Sequence, residues 1–259
     1  MSLDRLATND LVELLARDQA AAAEAVSGAS ASIARIVDAI AARLERGGRL
    51  HYVGAGTSGR LGVLDASEMP PTFGTAPGLV CAHIAGGEAA LRSAVEGAED
   101  DAAAGEEALR DHLGAADAVI GISASGGARY VIAALAYARA QGAFTAAMTS
   151  NAVAPLLAHA DEAVVLVTGD EVLAGSTRLK AGTAAKIALN TISTAVMVRL
   201  GRVCGNLMID LVATNEKLRA RALGIVCTLS GAGDDASRAA LEAANWRIRD
   251  AVERLRSRS

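Results

Sequence analysis

Hydrophobic positions recur at two different periods along this 259-residue chain, and the changes of period divide it. Near the N-terminus Leu11, Leu14 and Leu15 fall at helical spacing. Further on, Ile33, Ile36, Val37, Ile40 and Leu44 share one stripe of a second helical stretch. Gly47 and Gly48 stop that stretch in the manner of C-terminal glycines. From Arg49 the pattern switches to short apolar runs, with strands predicted near 49–54, 79–84, 117–122, 144–149 and 163–167. Helical stretches are predicted between them at 88–95, 101–112 and 129–140. Continuous apolar strands alternating with helices describe a parallel sheet covered on both faces. The expected fold is α/β, a doubly wound five-stranded parallel sheet with flanking N- and C-terminal helices. Beyond about 176 the period is helical again: one long helix, another over 211–229, then a Gly-Ala-Gly break, an Asp cap and a final amphipathic helix. The organisation read from this is a helical segment at 1–46, an α/β domain at 47–205 and a C-terminal helical subdomain at 206–259.

Composition narrows the partner classes. Hydrophobic residues make up 52% of the chain but aromatics only 2%, so much of the apolar content is alanine, the best helix former. The net charge is -4 and no run of Lys and Arg interrupts it, which argues against a nucleic-acid partner. Cys81, Cys204 and Cys227 are odd in number and form no CxxC, so they read as free thiols of a reducing compartment. His51, His83, His112 and His159 lack metal-ligand spacing, His51 and His83 falling in strands, and no metal is expected. The N-terminal stretch carries acids among its apolar residues, unlike a signal peptide, and no apolar run reaches the ~20 residues of a membrane span. The expectation is a soluble, cytoplasmic protein.

Two predicted strand ends carry similar loops. The first is Gly54-Ala55-Gly56-Thr57-Ser58-Gly59, and the second is Ser123-Ala124-Ser125-Gly126-Gly127. Glycines let the backbone approach a ligand, helix N-terminal N–H groups attract an anion, and hydroxyls add donors without charge. One such loop is weak evidence; two in one sheet favour a phosphate site. Gly54, Gly56 and Gly59 also satisfy the dinucleotide fingerprint G-x-G-x-x-G. That reading is disfavoured, because Pro70-Pro71 interrupts the segment that should be a clean helix and no acid ends the second strand. No G-x-S-x-G elbow marks a serine nucleophile. Two carboxylates stand out: Glu68, beside Pro70-Pro71 and after the first loop, and Glu99, at a glycine-interrupted junction. Such a pair suits shared acid and base work. Glu99 reads equally well as part of an acidic, solvated helix start with Glu96, Asp100 and Asp101.

The block VGAGTSGRLGVLDASEMPPTFG resembles the N-acetylmuramic acid 6-phosphate etherases, a branch of the SIS-type phosphosugar-binding superfamily that includes the glucokinase regulatory protein. IAGGEAALRSAVEGAEDD, GISASG, GSTRLKAGTAAKIALNTISTAVMVRLG and GNLMIDLVATNEKLR extend the resemblance from about residue 48 to 220. It implies an SIS domain at 47–205 and cleavage of the lactyl ether of a small phosphorylated amino sugar without a cofactor. Elimination of lactate from the open-chain sugar is followed by addition of water. The family's catalytic glutamates fall on Glu68 and Glu99, which tips the balance for Glu99 towards catalysis. Its phosphate site falls on Gly56, Thr57, Ser58, Gly59, Ser123, Ser125 and Gly126. The resemblance also implies a homodimer with a shared active site. A phosphosugar isomerase and a non-catalytic phosphosugar sensor are the alternatives. The chain departs from the family where Gly127-Ala128-Arg129 replaces the usual Arg-Thr-Pro, and it is shorter than the family pattern at both ends.

Overall fold

Five parallel strands order the larger part of the chain. The computed structural model describes residues 2–257. Helices α1 (Thr8–Asp18), α2 (Ala20–Gly28) and α3 (Ser30–Glu45) lead into β1 (Leu50–Gly54) and α4 (Gly56–Phe73). Next come β2 (Val80–Ile84), the short α5 (Ala89–Arg92), α6 (Ala102–Arg110) and β3 (Ala118–Ile122). The alternation continues with α7 (Arg129–Ala140), β4 (Phe144–Thr149) and β5 (Glu162–Val165). The long α8 (Lys180–Arg199) follows, then a ribbon of β6 (Val203–Cys204) and β7 (Leu207–Met208), and finally α9 (Glu216–Ser230), α10 (Asp234–Ala243) and α11 (Ile248–Arg256).

The strands lie in the order β2-β1-β3-β4-β5. Leu50 of β1 pairs with Val80 on one side and Ala118 on the other, and Gly54 likewise lies between Ile84 and Ile122. All the carboxyl ends therefore lie along one edge. From β1 the chain turns outward to β2 and then crosses back to β3, so the β1/β3 boundary is the topological switch point, where open α/β sheets leave a crevice. β1, β3 and β4 are buried along their whole length. That is why their sequences are continuously apolar rather than alternating. On one face Val131, Ala134, Leu135 and Ala138 of α7 cover the sheet. Gly121 has no room for a side chain beneath Leu135 and Val131. Alanine and glycine at these positions let helix and sheet approach closely.

A buried carboxylate ties three elements together. Asp65 of α4 accepts from Tyr52 of β1 (2.9 Å), from Asn190 Nδ2 (2.6 Å) and from Ser193 Oγ (3.0 Å), both on α8. Burial, and then the Asp65 charge, push the Tyr52 phenol well above its ordinary pKa. Three neutral donors satisfy an acid that would otherwise be costly to bury.

The chain clusters into two units, one running to Ala66 and from Leu79 to Thr194, the other made of Ser67–Gly78 and the chain from Ala195 onward. The second unit has its own core of Leu241, Ala222, Val226, Ile248 and Ala251. Arg249 grips both oxygens of Asp210 at 3.2 and 2.9 Å.

Several local expectations change. Pro70 and Pro71 do not interrupt α4; they sit within its final turn, and Gly74 at φ +60° ends the helix. Each proline gives up its own N–H bond to the preceding turn, but only Thr72 and Phe73 follow them in the helix, and the Pro70 carbonyl still accepts from Gly74 N–H at 3.0 Å. The helix expected at 88–95 shrinks to Ala89–Arg92, because Gly86, Gly87 and Gly97, all at positive φ, turn the chain on either side. The single final helix becomes α10 and α11, divided where Asn245 and Trp246 both adopt left-handed backbone (φ +50° and +61°). The β6–β7 ribbon was not expected; its signal is Gly205-Asn206 between two apolar pairs.

Candidate functional site

A cleft opens at the switch point. It holds about 150 Å³ and is lined by Gly56, Thr57 and Ser58 after β1, by Ser123, Ala124 and Ser125 after β3, and by Glu99. Strand parallelism brings these together: loops that are 67 residues apart in sequence leave adjacent strands at the same edge.

The first loop enters α4 at once. Gly56 has φ +52°, which few side chains tolerate. The first N–H groups of α4 have no partner within the helix, and its residues Gly56, Thr57 and Ser58 line the cleft. Gly59 stands behind the lining, where a Cβ would overlap Ile84 and the Gly54 carbonyl. In the second loop the Ser123 and Ser125 hydroxyl oxygens accept from the N–H groups of Gly126 (3.1 Å) and Gly127 (3.3 Å). Each hydroxyl thereby keeps its own proton for a ligand. Gly126, also behind the lining, has φ +71°, and a Cβ there would collide with Ala154.

Glu99 belongs to a single turn, Ala98–Asp100, launched by Gly97 at φ +74°. Its neighbour Asp101 has a structural task, capping α6 by accepting from Ala104 N–H at 3.0 Å. Glu99 instead lines the cleft together with the serine loops. Glu68 lies on the exposed side of α4, in the stretch that clusters with the second unit.

The cleft also contains residues that the sequence reading missed. Thr149 and Ser150 at the end of β4, Leu166 just past β5, and Thr177, Ala181 and Gly182 leading into α8 all line it. The signal for the first pair was a third hydroxyl-rich strand end, Thr149-Ser150-Asn151, overlooked because it carries no glycine. Among the described residues no Lys, Arg or His lines the cleft. Lys180, at the start of α8, is turned onto Asp18 at 2.7 Å, and Glu171 caps that helix by accepting from Lys180 N–H (3.2 Å) and Ala181 N–H (2.9 Å). An anion in the cleft must therefore be held by hydroxyls and backbone N–H groups.

Three of the four histidines do meet, on β1, on β2 and just after α6. His51 is fully buried, with Nδ1 3.0 Å from His83 Nε2 and Nε2 3.3 Å from Asp117 Oδ2, and His112 lies beyond His83. Desolvation lowers His51 and, with the nearby His51, His112 and Arg49, pushes His83 down to about 4. Both rings are neutral packing elements. No group of His, Cys, Asp or Glu among the described residues is arranged to hold a metal.

Comparison with known proteins places this geometry. The chain matches the model of the glucokinase regulatory protein N-terminal SIS domain over residues 32–139 and that of the SIS domain over 100–193. It is 51% identical to the N-acetylmuramic acid 6-phosphate etherase of Deinococcus radiodurans over 98% of this chain and 84% of that protein. With the etherase of Gloeobacter violaceus it shares 53% over 96% of this chain and 82% of the relative. The chain belongs to the N-acetylmuramic acid 6-phosphate etherase family. Within that family it keeps the SIS fold of more distant proteins. A phosphoheptose isomerase from Francisella tularensis superposes with a TM-score of 0.62 at 16% identity, over 74% of this chain and 100% of its own. One from Neisseria gonorrhoeae gives 0.55 at 19%, over 75% and 98%.

Proposed function

We propose that this protein cleaves the lactyl ether of N-acetylmuramic acid 6-phosphate, yielding N-acetylglucosamine 6-phosphate and D-lactate in the recycling of cell-wall sugar. The observation that carries this reading is the cleft itself, in a chain of the etherase family. Two hydroxyl loops suited to a phosphate and a carboxylate, Glu99, line one cleft. Thr57, Ser58, Ser123 and Ser125 bind the phosphate, with Gly56, Gly59 and Gly126 shaping the backbone around it.

The chemistry is acid–base. In the open-chain sugar the C2 proton is acidified by the neighbouring aldehyde. A carboxylate removes that proton, the C3–O bond breaks, and a carboxylic acid protonates the departing lactate. Water then adds to C3 of the unsaturated aldehyde as a proton returns to C2. Glu68 and Glu99 divide these transfers, and neither a redox partner nor an electrophilic cofactor is required for the balance. The active form is a cytoplasmic homodimer with a shared site. Support comes from the exposed apolar side chains on the loops after β4 and β5, Val153 (87%), Val167 (70%) and Leu173 (50%).

The test is D-lactate release from the purified protein given N-acetylmuramic acid 6-phosphate. Glu68→Gln and Glu99→Gln are each expected to lower kcat by about 10²–10⁴-fold with melting temperature unchanged. Isomerised phosphosugar without lactate, or full activity in Glu68→Gln, would overturn the assignment.

A further inference from the structure

The second serine loop owes its shape to the segment that follows β4. Three successive carbonyls in the loop, those of Ala124, Ser125 and Gly126, all accept from residues 149–156. The Ala124 carbonyl takes the Thr149 hydroxyl (3.1 Å) and the Ser150 N–H (3.0 Å). The Ser125 carbonyl takes Asn151 Nδ2 (3.2 Å), and the Gly126 carbonyl takes the Leu156 N–H (3.2 Å). Thr149 and Asn151 also brace each other, since Asn151 N–H donates to the Thr149 hydroxyl at 3.2 Å. Thr149 is almost fully buried, and the Asn151 side chain accepts from Val153 N–H at 3.0 Å, so neither group is free to swing.

The consequence for an anion is direct. A peptide loop presents both carbonyl oxygens, which repel phosphate, and N–H groups, which attract it. Here the 149–156 segment draws the carbonyls to itself, while the N–H groups of Ala124 and Ser125, two cleft-lining residues, have no acceptor among the described residues. This matters more in a cleft whose lining has no cation among the described residues, because oriented backbone dipoles then supply attraction that an arginine would otherwise give.

We propose that Thr149 and Asn151 are positioning residues of the phosphate site, holding the Ser123–Gly127 loop with its carbonyls turned away so that the Ala124 and Ser125 N–H groups bind the sugar phosphate. The proposal rests on the phosphosugar reading above and deepens it. Thr149→Val removes the hydroxyl at nearly constant volume, Thr149→Ser keeps it, and Asn151→Ala removes the second clamp.

Calorimetry with N-acetylglucosamine 6-phosphate and with unphosphorylated N-acetylglucosamine, together with steady-state kinetics, tests it. Thr149→Val and Asn151→Ala are expected to weaken binding of the phosphorylated sugar and raise KM by about tenfold. kcat should stay within about twofold, and weak binding of the unphosphorylated sugar should not change. Thr149→Ser is expected to behave as the wild type. Unchanged affinity in both clamp variants, or a fall in kcat at constant KM, would overturn the proposal; so would a loss in Thr149→Ser equal to that in Thr149→Val. If Thr149→Val fails to fold, Asn151→Ala decides alone. A wild type that does not bind the phosphorylated sugar contradicts the functional reading instead. The same ordering of variants towards inorganic phosphate then tests the clamp by itself.

Discussion

Gly126 and Gly127 are adjacent and respond oppositely to a side chain. At Gly126 the backbone has φ +71° and a Cβ would overlap Ala154, so Gly126→Ala must distort the serine loop. We expect that variant to lose phosphosugar affinity by tenfold or more, measured by calorimetry. At Gly127 the nearest atom to a Cβ is Ser125 Oγ at 3.8 Å, an ordinary contact. The backbone at Gly127 therefore accepts a side chain, and Gly127→Arg is expected to bring a guanidinium near the second serine loop. Affinity for N-acetylglucosamine 6-phosphate should rise several-fold at low salt, with less gain at high salt, and the melting temperature should hold. An unchanged affinity would show that this position does not face the phosphate. At this scale much of the site was legible, because glycine and hydroxyl residues clustered at strand ends have few other reasons to be there. Thr177 was not, since a single hydroxyl in a sequence looks the same whether it lines a cleft or caps a turn, and Thr149-Ser150 lacked the glycine that marks the other two loops.

Among the elements, the strands were the most legible and the helix ends the least. A buried strand writes itself as a continuous apolar run, as at Ala118–Ile122, whereas a helix end depends on what surrounds it. Pro70-Pro71 shows this: two prolines read as an interruption but occupy the last turn, with only two helical residues left to follow them. The histidine cluster was equally hidden, because pairing of β1 with β2 is what sets His51 beside His83. That cluster yields a pH prediction. In the unfolded chain these rings protonate near ~6.5, while in the fold His83 resists until about 4. The unfolded state therefore binds more protons across that window, and stability falls as pH drops from about 6.5 towards 4. Melting temperature followed from pH 7 to 5 should decline less steeply in His83→Asn than in the wild type. Parallel slopes would contradict a neutral buried His83.

For the whole molecule, the parallel order β2-β1-β3-β4-β5 decides where the cleft sits, since it brings two distant serine loops to one edge, in a cleft that Glu99 also lines. The division into two units was less visible: Ser67–Gly78 clusters with the C-terminal helices although it is contiguous with α4, and sequence proximity gives no hint of that. No single helix among the described residues is long and apolar enough to cross a membrane. The central claim, that this site breaks the ether by elimination and then adds water, is a claim about where solvent atoms go. The most direct test runs the reaction on N-acetylmuramic acid 6-phosphate in deuterated, ¹⁸O-enriched water and analyses both products by mass spectrometry. The account predicts solvent deuterium at C2 and ¹⁸O at C3 of N-acetylglucosamine 6-phosphate, with lactate free of ¹⁸O at the former ether oxygen. Heavy oxygen in the lactate hydroxyl, or no deuterium at C2, would contradict it.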